Sequence, residues 1–321
     1  MSGSAENSAR PDIAFFGLGM MGLPMASRLV KAGFAVRGYD PVEQARHAFG
    51  EAGGRATALP ADAADGAGLL ITMLPNGDLV RAALLEGKPN VAQRLAPGAV
   101  VIDMSSSSPI GTQTLGADLA ALGLRLIDAP VSGGVRRAVD GTLSIMTGGD
   151  ADAIASVTPA LRAMGESIFP TGPLGSGHAM KALNNYVSAA GLMAACEALQ
   201  IGARFGLDPA LMTDVLNAST GRNNSTQVKL KPFVINGTYA SGFSLALMAK
   251  DLRIADDLAR HADVPAPLSH VNAFLWEKAL SLLGKDVDHT AIDRFVASPA
   301  ADAFVAAFDR SEAVRVATDR K

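Results

Sequence analysis

Lys181, Asn185 and Ser188 are polar residues in a segment that is otherwise almost entirely apolar, KALNNYVSAAGLMAACEAL. Their spacing of four and then three residues places them on one face if the segment is a helix. A lysine in apolar surroundings costs free energy unless it has a task, and burial in general lowers the pKa of an amine toward the range that suits proton transfer. The stripe therefore predicts a general acid/base at Lys181, with an exposed lysine in a first helical turn as the alternative.

A glycine-rich turn near the start of the chain is suited to binding phosphates. It follows the apolar run IAFF, and its residues are Gly17, Leu18, Gly19, Met20, Met21 and Gly22. G-x-G-x-x-G alone is a weak signal, because a chain with 33 glycines contains such spacings by chance. Between a strand and a helix, the first glycine permits a tight turn, the second lets the backbone approach a pyrophosphate, and the third allows helix–strand packing. The N–H groups at the helix start then predict dinucleotide binding, against an ordinary turn.

Asp40 follows the second apolar run, 18 residues after Gly22, where a carboxylate can accept hydrogen bonds from the ribose hydroxyls of a dinucleotide. A carboxylate there favours NAD and disfavours the 2′-phosphate of NADP. Arg37 and Arg46 are nearby cations that leave NADP possible. The alternative for Asp40 is a surface helix cap before Pro41.

Two further stretches place polar residues next to predicted elements. Ser132, Gly133 and Gly134 follow an apolar run, and such a turn presents consecutive N–H groups and a hydroxyl that suit a carboxylate. A plain turn explains these residues equally well. Lys250 and Asp251 lie inside a later predicted helix, where the residues alone favour a solvent-exposed face.

The composition limits the classes of function. The 321 residues are 49% hydrophobic with a net charge of −3, which is enough for a large core and two domains. No run of Lys and Arg exceeds two residues and aromatics are 5%, which argues against nucleic acids and anionic membranes as partners. The single cysteine, Cys196, excludes an internal disulfide and a Cys-rich zinc site, and its neighbours predict a buried thiol.

The sequence also bears on location. The first residues, MSGSAENSARPD, lack the apolar segment of a signal peptide, and no run of about 18 apolar residues follows. A cytoplasmic protein without a membrane helix is therefore expected.

Short apolar runs alternate with helical stretches as far as about residue 172. The runs lie at 13–16, 35–40, 69–74, 100–105, 125–131, 142–148 and 167–172. The helical stretches between them include 20–33, 42–52, 108–122 and 151–165. This alternation predicts an α/β fold with a doubly wound, mainly parallel sheet of Rossmann type. We assign it to residues 12–173, after a disordered tail at 1–11.

The strand signal ends after this part of the chain. Helical segments follow at 177–205, 208–218, 240–261 and 267–284. They predict an all-helical domain over 174–296 with a long central helix, and then an extension over 297–321. Because the long helix is apolar nearly all round, we expect a homodimer or homotetramer.

Four stretches together resemble the β-hydroxyacid dehydrogenase family, which includes 3-hydroxyisobutyrate dehydrogenase, tartronate semialdehyde reductase and L-threonate dehydrogenase. They are GLGMMGLPMASRL (17–29), DAPVSGGVRRAVDGTL (128–143), GSGHAMKALNN (175–185) and LMAKDL (247–252), in the order and spacing of the family's signatures. The resemblance covers about residues 12–295. It implies an NAD-dependent oxidoreductase that transfers hydride reversibly between nicotinamide and a small 3-hydroxy acid, without a metal ion.

The resemblance also implies a role for each matching residue. Lys181 is expected to be the general acid/base, and Lys250 is expected to close the site over cofactor and substrate. The residues expected to hold the substrate are Ser132, Gly133 and Gly134 at its carboxylate, with Asn185 and Asn184 as hydrogen-bond partners. Those expected beside the cofactor, apart from the glycine turn and Asp40, are Leu74, Pro75 and Ser106.

Several alternatives stay open at this level. The pair Asn184–Asn185 favours the hydroxyisobutyrate branch, whereas His178 stands where Gln is common. The stretch 219–233 lacks the aromatic residue that this branch tends to carry after Gly-Arg, here Gly221–Arg222. Tartronate semialdehyde reductase and a dehydrogenase of the L-threonate or serine type are therefore alternatives. An imine reductase of the same architecture is disfavoured by Lys181, which such relatives generally replace. A non-catalytic NAD-binding scaffold or sensor is the alternative from another class.

Overall fold

The structure is a computed structural model that describes residues 11–87 and 90–307. Its internal contacts divide the chain into an N-terminal unit, Met1–Ala182, and a C-terminal unit, Leu183–Lys321. The strands are β1 (Ile13–Phe16), β2 (Val36–Tyr39), β3 (Arg55–Ala56), β4 (Leu69–Thr72), β5 (Val100–Asp103), β6 (Arg125–Asp128), β7 (Val131–Ser132), β8 (Leu143–Gly148) and β9 (Gly165–Gly172).

The α-helices begin and end at the following residues. They are α1 (Gly22–Lys31), α2 (Glu43–Glu51), α3 (Pro60–Ala64), α4 (Gly77–Leu85), α5 (Pro109–Ala121), α6 (Gly134–Asp140), α7 (Ala151–Met164), α8 (Ser176–Phe205), α9 (Pro209–Ala218), α10 (Asn224–Val228), α11 (Leu245–His261), α12 (Pro267–Leu283) and α13 (Ile292–Val296). Short 3₁₀ turns lie at Ala92–Arg94 and His289–Ala291, and a π-helical turn at Leu230–Ile235.

The strands of the N-terminal unit form one sheet, which has nine strands within the described residues. Their order is β3-β2-β1-β4-β5-β6-β8-β7, and β9 pairs with β8. The pairs among β1 to β6 are all parallel, β8 runs antiparallel to β6 and β7, and β9 runs parallel to β8. The predicted class, a doubly wound and mainly parallel sheet followed by helices, is confirmed.

Helices cover both faces of this sheet, which explains why its central strands are continuous apolar runs. In β1, Ile13 and Phe15 pack into a core with side chains of α1 and α7, such as Leu29. Ala14 and Phe16, which alternate with them, pack into a second core with residues of α3, α4 and α5. A single apolar run therefore contributes to two cores at once.

The observed elements differ from the predicted ones in three places. The run 125–131 is divided into β6 and β7 around Pro130, because proline has no N–H to donate to a sheet. The two-residue β3 was not predicted, since its residues are exposed and it has no apolar pattern. α11 begins at Leu245 instead of near 240, because the Ser244 hydroxyl accepts a hydrogen bond from the Leu247 N–H (3.2 Å) and starts the helix there.

The C-terminal unit is built from helices around its own core. α8 contributes Leu192 and Cys196, α11 contributes Leu252, and α12 contributes Trp276. Cys196 is buried, as the sequence predicts, and burial raises the pKa of its thiol well above the usual range, with the charges of Asp293 and Glu197 acting in the same direction. The thiol is therefore held in its protonated, unreactive form.

α8 is unusually long and apolar, and it extends from Ser176 to Phe205. Among the described residues it is the one helix whose length and composition would allow it to cross a membrane, although the sequence contains no uninterrupted run of about 18 apolar residues. Core helices of folded domains meet the same criterion, and the side chains of Ala189 and Leu192 are fully buried. We therefore describe α8 as a core helix.

The predicted domain boundaries stay predictions. β9 ends at Gly172 and α8 begins at Ser176, close to the predicted boundary, whereas the division between the two units falls at Ala182 within α8. Residues 1–10 of the predicted tail lie outside the described residues. In the predicted extension, residues 299–307 are helical, and the remainder lies outside the described residues.

Candidate active site

The turn after β1 requires glycine at two positions for reasons of packing. Gly17 has a φ of +93°, and a Cβ there would lie 2.3 Å from the Met73 carbonyl oxygen. A Cβ on Gly22 would lie 1.8 Å from the Gly17 carbonyl oxygen, so α1 approaches the turn as closely as backbone allows. Gly19 differs, because a Cβ there would meet no atom within 4 Å. The protein's own packing does not require Gly19, and the backbone at this position is open to a cavity that it lines.

Asp40 connects the glycine turn to the end of β2. It is 8% exposed, and its Oδ2 accepts a hydrogen bond from the Leu18 N–H and its Oδ1 one from the Val42 N–H, both at 2.8 Å. Each carboxylate oxygen keeps a further lone pair for a ligand hydroxyl. Arg46 donates to the Asp40 main-chain carbonyl (2.7 Å), and Arg37 donates to the Asp65 carbonyl (2.7 Å).

A cavity of about 700 Å³ adjoins the glycine turn and the segments that follow β2 and β4. This is the point where the strand order reverses beside β1, which is where doubly wound sheets bind ligands. The predicted cofactor residues that line the cavity are Gly17, Gly19, Met20, Met21, Gly22, Asp40, Leu74 and Pro75. The cavity combines an apolar wall that includes Leu79 and Ala82, the backbone turn and one carboxylate, and these features fit the adenosine and phosphates of NAD.

Three predicted cofactor residues are not part of this lining. The Leu18 side chain is 2% exposed and packs in the core, so Leu18 contributes its N–H to Asp40 instead. Ser106 lies in the loop after β5, and Lys250 lies in α11 of the C-terminal unit. Their contact with a cofactor stays a prediction.

A buried carboxylate, Asp103, shapes the loops that follow β4 and β5. Its Oδ1 accepts hydrogen bonds from the Ser105 N–H and the Thr72 hydroxyl, both at 2.9 Å, and its Oδ2 accepts one from the Ser107 hydroxyl at 2.7 Å. The Ser105 hydroxyl oxygen in turn accepts a hydrogen bond from the Leu74 N–H (2.9 Å). The segments that contain Leu74 and Ser106 are therefore fixed by one buried network.

A second buried carboxylate, Asp128 at the end of β6, fixes the start of α8. Its Oδ1 accepts a hydrogen bond from the Gly175 N–H and its Oδ2 one from the His178 N–H, both at 2.7 Å. A negative charge at this end of a helix also compensates the helix dipole. Sequence reasoning missed Asp103 and Asp128, although a signal exists, because both stand at the carboxyl end of an apolar run, in VVID and RLID.

The imidazole of His178 lies beside these two carboxylates. Its Nδ1 is 2.8 Å from the Thr112 hydroxyl oxygen and its Nε2 is 3.1 Å from the Ser105 carbonyl oxygen. The side chain has no exposed surface. Both ring nitrogens are thus occupied inside the protein, and His178 does not fit the role of a substitute for Lys181 as acid/base.

The Ser132–Gly134 turn has a backbone that only glycine adopts readily. Gly133 and Gly134 have φ values of +131° and +68°, and the turn begins α6. The Arg137 side chain lies across Gly133, so that a Cβ there would be 2.4 Å from Arg137 Cδ. Ser132 and Lys181 belong to different elements of the N-terminal unit, and their joint action on one substrate stays a prediction.

Lys181 and Asn185 share one face of the continuous helix α8, as the spacing predicts. Asn185 is buried, and its Nδ2 donates a hydrogen bond to Asp251 Oδ2 at 2.6 Å. Asn184 Nδ2 donates to Asn185 Oδ1 at 3.2 Å. Lys250 Nζ lies 3.6 Å from the other carboxylate oxygen of Asp251.

These contacts make Asp251 the centre of a polar cluster in the C-terminal unit. The expectation that it lies on a solvent-exposed face is wrong, because Asp251 is 1% exposed. The apolar residues around it, in LALMAKDL, were the available signal, since a carboxylate at a core position must have partners. The structure therefore adds Asp251 to the predicted site as the residue that orients Asn185 and Lys250.

A further lysine reaches the polar stripe of α8. Lys229 Nζ donates a hydrogen bond to the Ser188 hydroxyl at 3.3 Å. Burial lowers the pKa of Lys229, and the charge of Asp288 opposes that shift. No pattern in the sequence distinguishes Lys229 from Lys231 two residues later, which is more exposed and pairs with Asp214.

A Rossmann-type dinucleotide-binding sheet, followed by a helix that carries a lysine and an amide on one face, defines a nicotinamide-dependent oxidoreductase. Comparison with known proteins supports this class. The sequence model for the NAD-binding domain of 6-phosphogluconate dehydrogenase matches residues 12–172. The model for the NAD-binding part of NADP-dependent 3-hydroxyisobutyrate dehydrogenase matches residues 175–296.

Individual relatives cover most of the chain. The 2-(hydroxymethyl)glutarate dehydrogenase of Eubacterium barkeri is 33% identical over 85% of this chain and 91% of its own length. The NAD-dependent L-serine dehydrogenase of Pseudomonas aeruginosa is 35% identical over 84% of this chain and 92% of its own length. The solved structure of Mycobacterium tuberculosis 3-hydroxyisobutyrate dehydrogenase with L-serine has a TM-score of 0.82 and 33% identity, and covers 90% of this chain and 99% of its own.

The chain belongs to the β-hydroxyacid dehydrogenase family. It is accordingly an NAD(P)-dependent hydroxyacid dehydrogenase, as the four sequence motifs implied.

Proposed function

We propose that the enzyme oxidises a small 3-hydroxy acid of the 3-hydroxyisobutyrate type reversibly to its semialdehyde, with Lys181 as the general acid/base. The observation that carries this proposal is the arrangement along α8. Lys181 precedes by one helical turn Asn185, whose amide is held by Asp251 at 2.6 Å. An amine and an oriented amide on one helix face can bind a hydroxyl oxygen and exchange its proton.

The residues of the chain act on the substrate in distinct ways. Bound NAD supplies the acceptor or donor of the hydride. Lys181 Nζ takes the hydroxyl proton during oxidation, and as an ammonium returns it during reduction while its N–H groups stabilise the negative charge on oxygen. Asn185 uses one Nδ2 hydrogen for Asp251 and keeps the second for the substrate. Ser132 and the N–H groups of the following glycines hold the carboxylate.

We propose NAD as the preferred cofactor. Asp40 lines the cavity and presents carboxylate oxygens where a ribose is expected, so a 2′-phosphate would meet negative charge. Glu43, at the start of α2, adds a second acidic residue close in sequence. Arg46 donates to main-chain carbonyls of Asp40 and Pro41, and Arg37 donates to the Asp65 carbonyl, so both cations near Asp40 in sequence already bind main-chain oxygens.

The substrate is tested by comparing hydroxy acids directly. We would measure NAD reduction with 3-hydroxyisobutyrate, L-serine, glycerate, threonate and sulfonate analogues, with kcat/KM as the readout. The proposal expects the highest kcat/KM for 3-hydroxyisobutyrate. A higher value for L-serine, on which the Pseudomonas relative acts, or for glycerate or threonate would assign another substrate branch. NAD binding without turnover of any of these acids would support a scaffold or sensor.

We also propose that the enzyme is a homo-oligomer whose interface includes the second half of α8. Ile201 and Phe205 lie four residues apart on this helix and are 70% and 85% exposed. On α9, Leu211 and Val215 are also exposed and four residues apart. Light scattering should give a dimer or larger assembly at micromolar concentration, and a double substitution Ile201→Glu and Phe205→Glu should reduce the mass. A monomeric wild type would contradict the proposal.

A further inference from the structure

The strongest unassigned feature of the N-terminal unit is the buried polar cluster formed by Asp103, Ser105, Thr112, Asp128 and His178. Its members belong to β5 and the loop after it, to β6, to α5 and to the start of α8. The mechanism above uses none of these side chains. His178 contacts three other elements. Its ring bonds the Thr112 hydroxyl of α5 and the Ser105 carbonyl in the loop after β5, and its main-chain N–H donates to Asp128 at the end of β6.

The hydrogen bonds of the His178 ring fix its orientation. A carbonyl oxygen only accepts, so the 3.1 Å contact requires Nε2 to donate its proton to the Ser105 carbonyl. The Thr112 hydroxyl, at 2.8 Å, bonds Nδ1 from the opposite side. The nearest Asp103 and Asp128 carboxylate oxygens lie 3.7 Å from Nε2 and Nδ1. With both nitrogens bonded and no exposed surface, the ring cannot rotate without breaking two hydrogen bonds.

Ser105 transmits this constraint to the wall of the cavity. Its carbonyl binds His178, its N–H donates to Asp103, and its hydroxyl oxygen accepts from the Leu74 N–H. Leu74 itself lines the cavity. One serine therefore links the first turn of α8 to the segment that borders the proposed cofactor.

Lys181 follows His178 by three residues on α8, a rise of about 4.5 Å along the helix axis. A shift of the first turn of α8 is therefore passed on to the lysine. Misplacement of a reacting group by about 1 Å can lower the rate by about 100-fold. The position of this first turn consequently matters for any reaction in which Lys181 takes part.

We propose that His178 is a positioning residue that holds Lys181 in register with the cavity-lining segment at Leu74, through the loop after β5 that contains Ser105. This inference rests on the proposed function of Lys181. It assigns His178 no contact with substrate and no proton transfer. A side chain that donates to Ser105 and bonds the Thr112 hydroxyl suffices for the role, so glutamine, whose amide has both a donor and an acceptor, is the conservative replacement.

The test compares His178→Gln, His178→Leu and Thr112→Val with the wild type as the full chain with NAD. His178→Leu keeps an apolar side chain in the site but removes both ring hydrogen bonds, and it should lower kcat by about 10–100-fold. The KM for the hydroxy acid should change by less than about threefold. Thr112→Val removes one of the two ring contacts and should have an intermediate effect. His178→Gln should restore kcat to within about threefold of the wild type.

The matched control is His47→Leu, because His47 is an exposed histidine whose side chain is 74% accessible. It should leave kcat unchanged. The pH dependence of kcat should keep its shape in His178→Leu and differ only in height. If thermal unfolding shows that His178→Leu does not fold, the kcat values of the wild type, His178→Gln and Thr112→Val test the positioning role instead. They should fall in that order.

Two results would overturn the positioning role. One is a near-normal kcat in a folded His178→Leu or, where that variant does not fold, in Thr112→Val. The other is a kcat in His178→Gln as low as in His178→Leu. Lys181→Ala, measured in parallel, separates this inference from the proposed function. Normal turnover in Lys181→Ala removes Lys181 from catalysis, whereas normal turnover in folded His178→Leu with an inactive Lys181→Ala removes only the positioning role.

Discussion

Asp103 and Asp128 of the N-terminal unit and Asp251 of the C-terminal unit are buried carboxylates that bind different kinds of partner. In the N-terminal unit, Asp103 and Asp128 stand at the ends of strands and accept hydrogen bonds from backbone N–H and hydroxyl groups of the segments that follow. Asp40, just beyond β2, accepts two backbone N–H bonds. In the C-terminal unit, Asp251 stands inside a helix, and its partners are the side chains of Asn185 and Lys250.

The kind of partner indicates what a buried carboxylate does in the structure. A carboxylate that binds backbone fixes the shape of a loop, and it acts on a ligand only through that shape. A carboxylate that binds side chains fixes the direction in which those side chains present their remaining hydrogens. Substitution of the first kind should therefore change cofactor binding or stability, and substitution of the second kind should change the handling of the substrate.

Substitution of Lys181 should have the largest effect on kcat, because Lys181 on α8 is the proposed general acid/base. Lys181→Ala should lower kcat by about 10²–10⁴-fold, which is the usual contribution of general acid–base catalysis. NAD affinity, measured by calorimetry, should change little, because the cavity is lined by residues of the glycine turn and its neighbours. Lys181→Arg should also be poor, since a guanidinium does not give up its proton at working pH. Near-normal turnover in Lys181→Ala would refute the assignment.

Asp251 gives the next largest effect. Asp251→Ala leaves Asn185 and Lys250 without their carboxylate, and loss of a charged hydrogen-bond partner should lower kcat/KM by about 10–100-fold. The loss should fall mainly on the hydroxy acid and not on NAD, as steady-state kinetics with each substrate varied would show. Asp257→Ala on the same helix is the control, because the Asp257 side chain is 71% exposed. Equal losses in the two variants would contradict the orienting role of Asp251.

Sequence reasoning recovered the features that depend on local pattern. The strands were found because both faces of the sheet are covered and their residues are continuously apolar, as in Leu69–Thr72. The glycine turn was found because its G-x-G-x-x-G spacing lies within a single strand–turn–helix unit, where Gly22 packs against the Gly17 carbonyl oxygen. The polar face of α8 was found because helical spacing alone aligns Lys181 with Asn185.

The features that were missed depend on contacts between distant parts of the chain. The Asn185–Asp251 bond joins residues 66 positions apart, and no local pattern pairs them. The contact between Ser105 and His178 spans 73 positions. A buried carboxylate could be suspected from its apolar neighbours, but its partners are decided only when helices and strands pack.

Asp40 tests the comparison on the cofactor side, with a smaller effect. Asp40→Ser should reduce the preference for NAD over NADP, expressed as the ratio of kcat/KM values, by about tenfold. KM for both cofactors should also rise, because the serine cannot hold both the Leu18 and Val42 N–H groups. Asp65→Ser, at a side chain that is 66% exposed, is the control. A wild type that prefers NADP would refute the cofactor assignment.

Asp288 gives the smallest expected effect on activity. Its substitution tests whether the role of a buried carboxylate depends on its hydrogen-bond partners or on the unit in which it lies. It lies in the C-terminal unit, yet it resembles the strand-end carboxylates, because it accepts hydrogen bonds from the N–H groups of Gly242, Phe243 and Thr290. Asp288→Asn should therefore lower stability by about 1–3 kcal/mol, a shift of a few degrees in Tm. Values of kcat and KM should stay within about twofold of the wild type.

The difference in stability between the wild type and Asp288→Asn should depend on pH, because the pKa of Asp288 is shifted by its surroundings. Burial alone would raise that pKa, but hydrogen bonds from His289 and Thr290 and the charge of His289 lower it below the ordinary range. A depressed folded-state pKa contributes stability that is present above the unfolded value of about 4 and is lost as pH falls through the folded value. Thermal unfolding of wild type and Asp288→Asn should therefore differ fully above about pH 5 and converge in stronger acid. A loss of kcat/KM with unchanged Tm would mean that Asp288 orients catalytic groups, and that backbone partners do not identify a purely structural carboxylate.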